Sequence, residues 1–250
     1  MQTNQTLLRW AVGAIFVGLL LGGAIYWAAV LHAQTGRSSS QSGVGVDPLT
    51  DDERALALAG AKLGDTLTAE QVASRAAAEA DAAQAPAQEV LLVERNAIDK
   101  NSKEPGARQG VVYVYDYTSD ELIHSVVDVA TGAMVEQARV QGVQLPLTAA
   151  EEARAIALAW GDAPTQQALA TQFEQLTGQP LTALEQLHVK AAVFLADSMP
   201  GRINAAAQAC GIQRCAQLLL FSVDNVAFEM LPIVSLSQGR VLQIELLATE

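Results

Sequence analysis

The chain contains an internal repeat, and this repeat restricts the possible folds more than any other feature of the sequence. Residues 48–53 and 146–151 both read Pro-Leu-Thr-x-x-Glu, and each copy leads into a run rich in alanine and leucine. Thr-x-x-Glu is the capping-box pattern, in which the threonine and glutamate side chains accept hydrogen bonds from free backbone N–H groups at a helix start. The pattern therefore predicts a helix after each copy. A Thr-x-x-Gln at 68–71 predicts a second helix in the first repeat, reaching about residue 84, with its counterpart at 165–176.

After its helices, each repeat changes to short segments with the composition of β-strands. These segments are rich in β-branched and aromatic residues, and turn residues separate them, such as Ala-Thr-Gly at 130–132 and Ser-Gln-Gly at 237–239. The predicted strands are 90–96, 110–116, 122–129 and 133–140, then 187–196, 218–224, 227–236 and 240–246. A further Thr-x-x-Glu at 182–185 directly precedes a strand and is interpreted as a false match. We predict an α+β fold of two tandem modules, at 47–143 and 144–250, each with helices packed on a four-stranded antiparallel sheet.

Residues 10–31 form an apolar stretch without a charged side chain. As a helix, these 22 residues at about 1.5 Å each reach roughly 33 Å, enough to cross a hydrocarbon core of about 30 Å. Trp10 and Trp27 lie near the two ends, as aromatic residues at membrane interfaces do. The alternative is a cleaved secretory signal, whose apolar region is normally about 7–15 residues long. The length favours a transmembrane signal anchor over 10–32, between a cytoplasmic tail at 1–9 and a polar linker at 33–46.

The residues that flank and line this stretch predict its orientation and a pairing face. Arg9 precedes the span without an acidic neighbour, which predicts a cytoplasmic N-terminus and extracytoplasmic C-terminal domains in a single-pass membrane protein. Ala14, Gly18 and Gly22 recur every four residues, and such a stripe of small residues lets two helices approach closely. The stripe is a candidate face for self-association, although glycine and alanine are also common in spans that do not pair.

The part of the chain after the linker is strongly acidic. From Asp47 onward it has 27 acidic residues and 13 basic ones (15 minus Arg9 and Arg37), a balance of −14. A surface of this charge repels nucleic acid and anionic lipid headgroups. We therefore expect no nucleic-acid partner.

Several short motifs resemble one known family. They are the order of helix then four strands, the opening Asp-Pro-Leu-Thr-x-x-Glu at 47–53, and a Tyr-x-Tyr strand followed by Val-Asp-Val-Ala-Thr-Gly at 127–132. Together they resemble the second and third N-terminal domains of copper amine oxidases, over about residues 47–246. The resemblance implies a tandem pair of cystatin-like α+β modules. It also implies a non-catalytic role, because in that family catalysis belongs to a large C-terminal β-sandwich with three copper-binding histidines and a self-processed tyrosine.

Tyr115-Asp116-Tyr117 matches part of the family's Asn-Tyr-Asp/Glu-Tyr pattern around that tyrosine, but the rest of the site is missing. Val114 stands where the pattern has asparagine. Copper in such a site needs imidazole ligands. The chain has three histidines, at 32, 124 and 188, and His32 lies at the predicted membrane edge. We therefore predict a β-strand at this place, with no copper, no quinone and no other cofactor.

The remaining candidates for chemistry do not form a recognisable site. His124 and Asp128 share one face of a predicted strand, but they stand four residues, or about 13 Å, apart, too far for a base and the carboxylate that orients it. His188 and Lys190 are likewise interpreted as solvated sheet surface. The sequence has no Gly-x-Ser-x-Gly, no glycine-rich phosphate loop and no His-Glu-x-x-His. The chain is predicted not to be an enzyme.

Three tyrosines form a candidate binding face. Tyr113, Tyr115 and Tyr117 alternate along the strand with Val112 and Val114. The valines suit the side packed beneath the alanine-rich helices, which directs the tyrosines to the opposite face. Because rows of tyrosine are typical of contact surfaces, this face is a candidate docking site for a partner protein. The alternative is that the second repeat or neighbouring strands cover it.

The two cysteines, Cys210 and Cys215, stand in Cys-Gly-Ile-Gln-Arg-Cys. In an oxidising compartment a pair this close most often forms a disulfide, which would hold the long loop 198–213 at the start of the next strand. A reactive pair would be expected to have Cys-x-x-Cys spacing, and half of a metal site would need further thiolates. We predict the disulfide.

Two classes of function fit these features. The first is a non-catalytic, membrane-anchored extracytoplasmic interaction module, or an accessory subunit of a membrane or envelope complex. The second is a domain that binds a small amine, or the non-catalytic component of an amine-oxidase-like system. The first predicts a broad apolar surface outside the helix–sheet core, and the second a closed concavity with a few converging carboxylates. We favour the first.

Overall fold

A computed structural model of the chain describes residues 47–62, 86–96 and 107–246. The predicted anchor at 10–32, the stripe of Ala14, Gly18 and Gly22, and the predicted helix at 68–84 lie outside the described residues. Within the described part, no helix has the length and apolar character needed to cross a membrane.

The helices begin where the capping patterns predict. Helix α1 is Asp51–Gly60 and helix α2 is Ala149–Gly161, and both start at a complete capping box, on Thr50 with Glu53 and on Thr148 with Glu151. Helix α3, Ala163–Thr177, follows at once, capped by the Asp162 carboxylate, and ends at Gly178, whose φ of 68° suits glycine. Residues 182–185 form no α-helix, as predicted: a short 3-10 turn, Leu184–Gln186, leads directly into a strand.

Each repeat forms a four-stranded antiparallel sheet with its strands in chain order. The strands are β1 Gln88–Arg95, β2 Gln109–Asp116, β3 Glu121–Asp128, β4 Met134–Val140, β5 Leu187–Val193, β6 Cys215–Ser222, β7 Met230–Ser235 and β8 Arg240–Leu246. Gly132 and Gly239 have φ of 69° and 63° in the turns between the third and fourth strands of their repeats. Ser-Gln-Gly in the second repeat therefore corresponds to Ala-Thr-Gly in the first, as predicted. The fold is therefore α+β, with two sheets of the predicted topology.

The boundaries differ from the prediction mainly around β6 and β7. Strand β6 begins at Cys215 rather than residue 218, because its first residues already pair with the end of β7, Cys215 with Ser235. Strand β7 begins at Met230 rather than residue 227, because regular pairing stops at Gln217–Ile233 and the connection turns tightly at Asn225, with φ of 63°. Beyond that point, one isolated bridge, between Phe221 and Ala227, joins the two segments.

One face of each sheet packs against its helices through small side chains. In the first repeat, Ala57 and Ala61 of α1 and its C-cap pack with Val112 and Val114 of β2. In the second, the corresponding contact joins Ala155 and Ala159 of α2 to the face of β6 and β7 that carries Ala216, Leu218, Val234 and Leu236. The prediction that Val112 and Val114 lie beneath the helix is confirmed. Small residues on the helix let it approach the sheet closely, so the tyrosine face points away from α1.

Candidate functional site: the contact between the repeats

An arginine immediately before the second strand of each repeat holds the capping-box glutamate of the same repeat. Arg108 donates from Nε to Glu53 at 2.7 Å, and Arg214 donates from Nε to Glu151 at 2.7 Å. Both arginines also bind the two backbone carbonyl groups that begin their repeat, at positions 47 and 48 and at positions 145 and 146. We call each glutamate–arginine pair, with the carbonyl groups it binds, a latch.

The latch of the second repeat is completely buried. Arg214 and Glu151 are both 0% exposed. The Glu151 carboxylate accepts hydrogen bonds from Arg214, from the backbone N–H of Thr148 and from the hydroxyl of Tyr117, the last at 2.7 Å. Burial acts to raise the pKa of Glu151, but the hydrogen bonds and the charge of Arg214 outweigh it, and the pKa lies below its usual range. Glu151 is therefore held as a carboxylate inside the protein.

Tyr117, Glu89 and Arg154 join this latch to the first repeat. Arg154, on α2, donates at 2.8 Å both to the Glu89 carboxylate on β1 and to the hydroxyl oxygen of Tyr117. Its guanidinium also lies 5.2 Å from the centre of the Tyr117 ring. Burial and the neighbouring charges of Glu151 and Glu89 raise the pKa of Tyr117 far above its usual range, so the phenol stays protonated and donates. The opposite charges and the tyrosine hydroxyl therefore tie the two repeats together in the interior.

Tyr115 is held by a second set of contacts at the same place. Its hydroxyl lies 3.2 Å from an Asp120 carboxylate oxygen and 3.2 Å from the carbonyl oxygen of Ile212, either of which can accept its hydrogen. Asp120 in turn accepts from the hydroxyl of Ser237 in the second repeat. Burial, with a contribution from the Asp120 charge, raises the pKa of Tyr115 to about 12. The guanidinium of Arg214 lies 5.6 Å from the centre of its ring.

The tyrosine face is therefore not the free docking surface that the sequence suggested. Tyr115 is 1% exposed, and it and Tyr117 share one apolar cluster with α2 and the second sheet. The second repeat covers this part of the face, as the alternative interpretation of the sequence predicted. Tyr113 is half-buried and packs on the ring of His124, with centroids 5.1 Å apart. An antiparallel sheet often leaves one face in water, but here part of that face is a surface between two sheets.

The structure does not bring the other candidate residues together as a catalytic group. The Asp128 carboxylate accepts from the backbone N–H groups of Ala130 and Thr131, so it stabilises the turn, and the pKa of Asp128 lies below its usual value because of these bonds. His188 and Lys190 are exposed on β5. In the described residues, no group of three histidine, cysteine or acidic side chains could hold a metal ion.

The disulfide between Cys210 and Cys215 is present, as predicted. It closes a loop whose Ile212 carbonyl meets Tyr115 and whose Gly211 carbonyl accepts from Gln144 at 2.9 Å. The segment before it covers one end of the outer face of the second sheet, with Phe194 and Ala207 in one cluster with Ile233 and Leu242. The disulfide therefore fixes the loop of the second repeat that the first repeat contacts.

A groove of about 440 Å³ runs along α3. Its described lining residues are Pro164, Gln167, Ala168, Thr171, Gln172 and Gln175. None of these carries a carboxylate. The converging acids expected for an amine site are therefore not found at this groove.

Sequence reasoning missed the residues that form the two latches and the bonds between the repeats: Arg108, Arg214, Arg154 and Glu89. A signal for two of them was available. An arginine precedes the second predicted strand of both repeats, Arg108 by two residues before 110 and Arg214 by four residues before 218. A cation near the same place in both copies, with a capping-box glutamate at the start of each, indicates a pairing that recurs in the two repeats. Arg154 and Glu89 have no such counterpart, and the sequence carried no signal for them.

Comparison with known proteins gives a likeness of fold at low identity. No protein-family model matches the chain, and no curated protein matches it. Among solved structures, the chain is similar to a copper-containing benzylamine oxidase from Hansenula polymorpha, at 13% identity and a TM-score of 0.47. The match covers 80% of this chain and 29% of that chain. It is compatible with the resemblance found in the sequence, and it says nothing about activity.

Proposed function

We propose that the chain is a non-catalytic, membrane-anchored extracytoplasmic interaction module, an accessory subunit of a membrane or envelope complex. The observation that carries the proposal is an apolar surface outside the helix–sheet cores. On or beside the outer face of the second sheet, Leu219, Val223 and Val226 are each at least 37% exposed. Scattered exposed apolar residues are normal, but these three lie close together in the chain, Leu219 on β6 and the two valines in the connection to β7, and such a group is typical of a contact surface.

The buried ionisable groups support this interpretation. Each of the described ones is bound to another described group: Glu53, Glu89, Asp116, Glu151, Arg154 and Arg214. Catalytic sites typically place perturbed acids and bases in an open cleft, where a substrate can reach them. Here the groups with the most strongly shifted pKa values, Tyr117 and Tyr115, lie inside the contact between the repeats, where they hold the two repeats together. These contacts therefore favour a protein that binds partners through its surface over an enzyme.

The sequence supplies the anchor in this proposal. The uncharged stretch 10–31 would hold the protein in the membrane with the acidic part outside. Protease added to spheroplasts should remove residues 38–250 and leave a membrane-bound stub. Protection of the acidic part, or a mature N-terminus near Gln34, would contradict the anchor.

Partner binding is tested with a photo-crosslinking amino acid in the full chain, in membranes of its own host. Position 219 samples the apolar face. Position 135, on the edge strand β4, is the matched control, because Val135 is 55% exposed but lies on the first sheet. A defined adduct at 219 and none at 135 supports the proposal. Equal, diffuse labelling at both positions would contradict it.

The alternative of amine binding gains no observation from the described residues, because the groove along α3 offers amide and hydroxyl groups rather than carboxylates. Titration calorimetry of the full chain with benzylamine tests it directly. Saturable binding would favour a ligand-binding domain over an interaction module.

A further inference from the structure

The contact between the repeats uses one surface from each, and both surfaces have a counterpart elsewhere in the same chain. The latches set the correspondence, because Arg108 and Arg214 bind equivalent carbonyl groups. The carbonyl group of each arginine also accepts from the residue directly after the third strand of its repeat, from Val129 N–H and from Leu236 N–H. Counting forward from these arginines, Tyr113 corresponds to Leu219, Tyr115 to Phe221 and Tyr117 to Val223. The outer face of the second sheet is therefore the counterpart of the tyrosine face.

The strand register gives the same correspondence on the neighbouring strand. Glu89 lies opposite Tyr115, and His188 lies opposite Phe221. Glu89 is buried against Arg154, whereas His188 is exposed. At this position the first repeat has a buried acid, and the second repeat has an exposed histidine.

The surface that covers the tyrosines also has a counterpart. Counting from the capping-box glutamates, Arg154 on α2 corresponds to Leu56 on α1. Arg154 is buried against Tyr117, whereas Leu56 is 42% exposed. The partner position of Tyr117 on the second sheet, Val223, is 53% exposed.

The two counterpart surfaces are the face of α1 with Leu56 and the outer face of the second sheet beside Val223. They differ from the internal contact in complementary ways. Inside the chain, a cation on the helix meets a tyrosine hydroxyl and an acid. At the counterparts, Leu56 replaces the cation and Val223 replaces the tyrosine, so a polar pair becomes an apolar pair on both sides at once. His188 replaces Glu89, so the equivalent contact buries no acid beside a leucine. If the helix had kept the cation, or β5 the acid, without the other, the equivalent contact would leave a buried charge without a partner.

We propose that a second copy of this chain docks on the outer face of the second sheet, and that it does so with the α1 corner of its first repeat. Leu56 of one copy would meet Val223 of the next, in the arrangement that Arg154 takes with Tyr117 inside one copy. The contact is head-to-tail, because the two surfaces differ, and repeating it gives a ring or a chain of copies. This inference deepens the proposed function, since it names another copy of the protein as a partner of the apolar face.

A crosslinking experiment between two differently tagged full-length copies tests the arrangement in membranes. One copy carries Leu56→Cys and the other Val223→Cys, and a short bis-maleimide is added. The native cysteines are already joined in a disulfide. The control replaces Val223→Cys by Val135→Cys, whose side chain is as exposed but lies on the other sheet. We expect a product joining residues 56 and 223 of different copies, located by peptide mapping, and little product with the control. Equal yields, or none, would overturn the proposal.

A charge on the apolar face gives a second readout. Val223→Asp in the crosslinking pair Leu56→Cys with Leu219→Cys should weaken the association by about tenfold or more, because it puts a charge in place of a central apolar anchor. An unchanged yield would overturn the proposal. A host protein captured at position 219, with no crosslink between copies, would overturn self-association and leave the proposed function standing. Crosslinked copies with no captured host protein would support self-association and count against an accessory subunit.

Discussion

Replacing Arg214 by methionine removes the cation of the buried latch and leaves the Glu151 carboxylate where it is. The arginine makes five hydrogen bonds, two to Glu151, one to the Gln144 side chain and two to the carbonyl groups at 145 and 146. Methionine fills part of the space but donates to none of these groups. Because Glu151 is 0% exposed, water cannot take over the role of the guanidinium.

The expected loss is large because a buried charge is left without its partner. Removing one partner of a buried ion pair lowers the free energy of unfolding by about 3–5 kcal/mol, and we expect the loss for Arg214→Met to fall in that range. The repeat provides its own matched control in Arg108→Met. The side chain of Arg108 is 15% exposed and that of Glu53 is 8% exposed, so water can reach the pair in part. We expect a smaller loss, of about 1–3 kcal/mol. The double variant Arg214→Met with Glu151→Gln should recover at least about 1 kcal/mol over Arg214→Met alone, because no charge stays buried unpaired.

Urea unfolding of the full-length chain in detergent micelles, followed by far-ultraviolet circular dichroism, measures these differences. With a slope of about 2–3 kcal/mol per molar urea, Arg214→Met should lower the midpoint by about 1–2 M. Fluorescence of Trp160, on α2, reports the second repeat in particular. If Arg108→Met destabilised the protein as much as Arg214→Met, burial would not be the deciding factor. If the double variant were no more stable than Arg214→Met, the unpaired carboxylate would not be the cause of the loss.

Four further predictions concern Tyr115, Glu151, Gly60 and the disulfide. Tyr115→Ala should destabilise the chain by about 3–5 kcal/mol, seen as a lowered melting temperature, because a buried ring is removed; an unchanged melting temperature would restore the idea of a free tyrosine face. The lowered pKa of Glu151 means that its pair contributes fully above the unfolded value, near 4.5, and is lost as the pH falls through the folded value. Glu151→Gln should therefore flatten the fall in unfolding free energy below that pH, and the same slope as in the parent chain would refute this. Gly60→Ala should cost about 1–3 kcal/mol in the same urea assay despite the better helix propensity of alanine, because its Cβ would lie 2.5 Å from a Gly132 carbonyl oxygen; a gain in stability would contradict the close approach. Reduction of the disulfide should add two daltons to the intact mass and cost about 2 kcal/mol, as expected for a small loop; no mass change in protein from its own host would rule the bond out.

The local structure was predictable because local residues decide it. The capping boxes on Thr50 and Thr148 set both helix starts, and the side-chain hydroxyl and carboxylate that form them lie within three residues of each other. The two sheets follow from short β-branched runs and from glycines whose turns need a positive φ. The valines of β2 could be assigned to the helix side because alternation leaves only two faces.

The contact between the repeats could not be predicted from the sequence in this way. Tyr117 and Arg154 are 37 residues apart, and nothing local selects one as the partner of the other. The tyrosines were assigned to the exposed face because a meander usually has one face in water, and the packing of a second sheet on that face is a property of the whole fold. The loop before Cys210 could be expected to be held by the disulfide, but the sequence did not show that it would cover the second sheet.

The buried charges have a consequence for how stiff the joined repeats are. An apolar surface between two modules tolerates small rotations, because dispersion contacts have little direction. The bonds of Arg154 to Glu89 and Tyr117, and the bond of the Tyr117 hydroxyl to Glu151, join the repeats directionally and hold best at one angle. Buried ion pairs often add little net stability over apolar residues of similar size, so their effect here is better sought in the relative orientation of the repeats. Replacing Arg154, Glu89 and Tyr117 together by leucine, methionine and phenylalanine should then preserve or raise the unfolding free energy while loosening that orientation. Spin-label distances between β4 and β8 would show it: a broadened distribution at unchanged stability is the expected result, and a distribution as narrow as in the parent chain would show that the apolar cluster alone sets the angle.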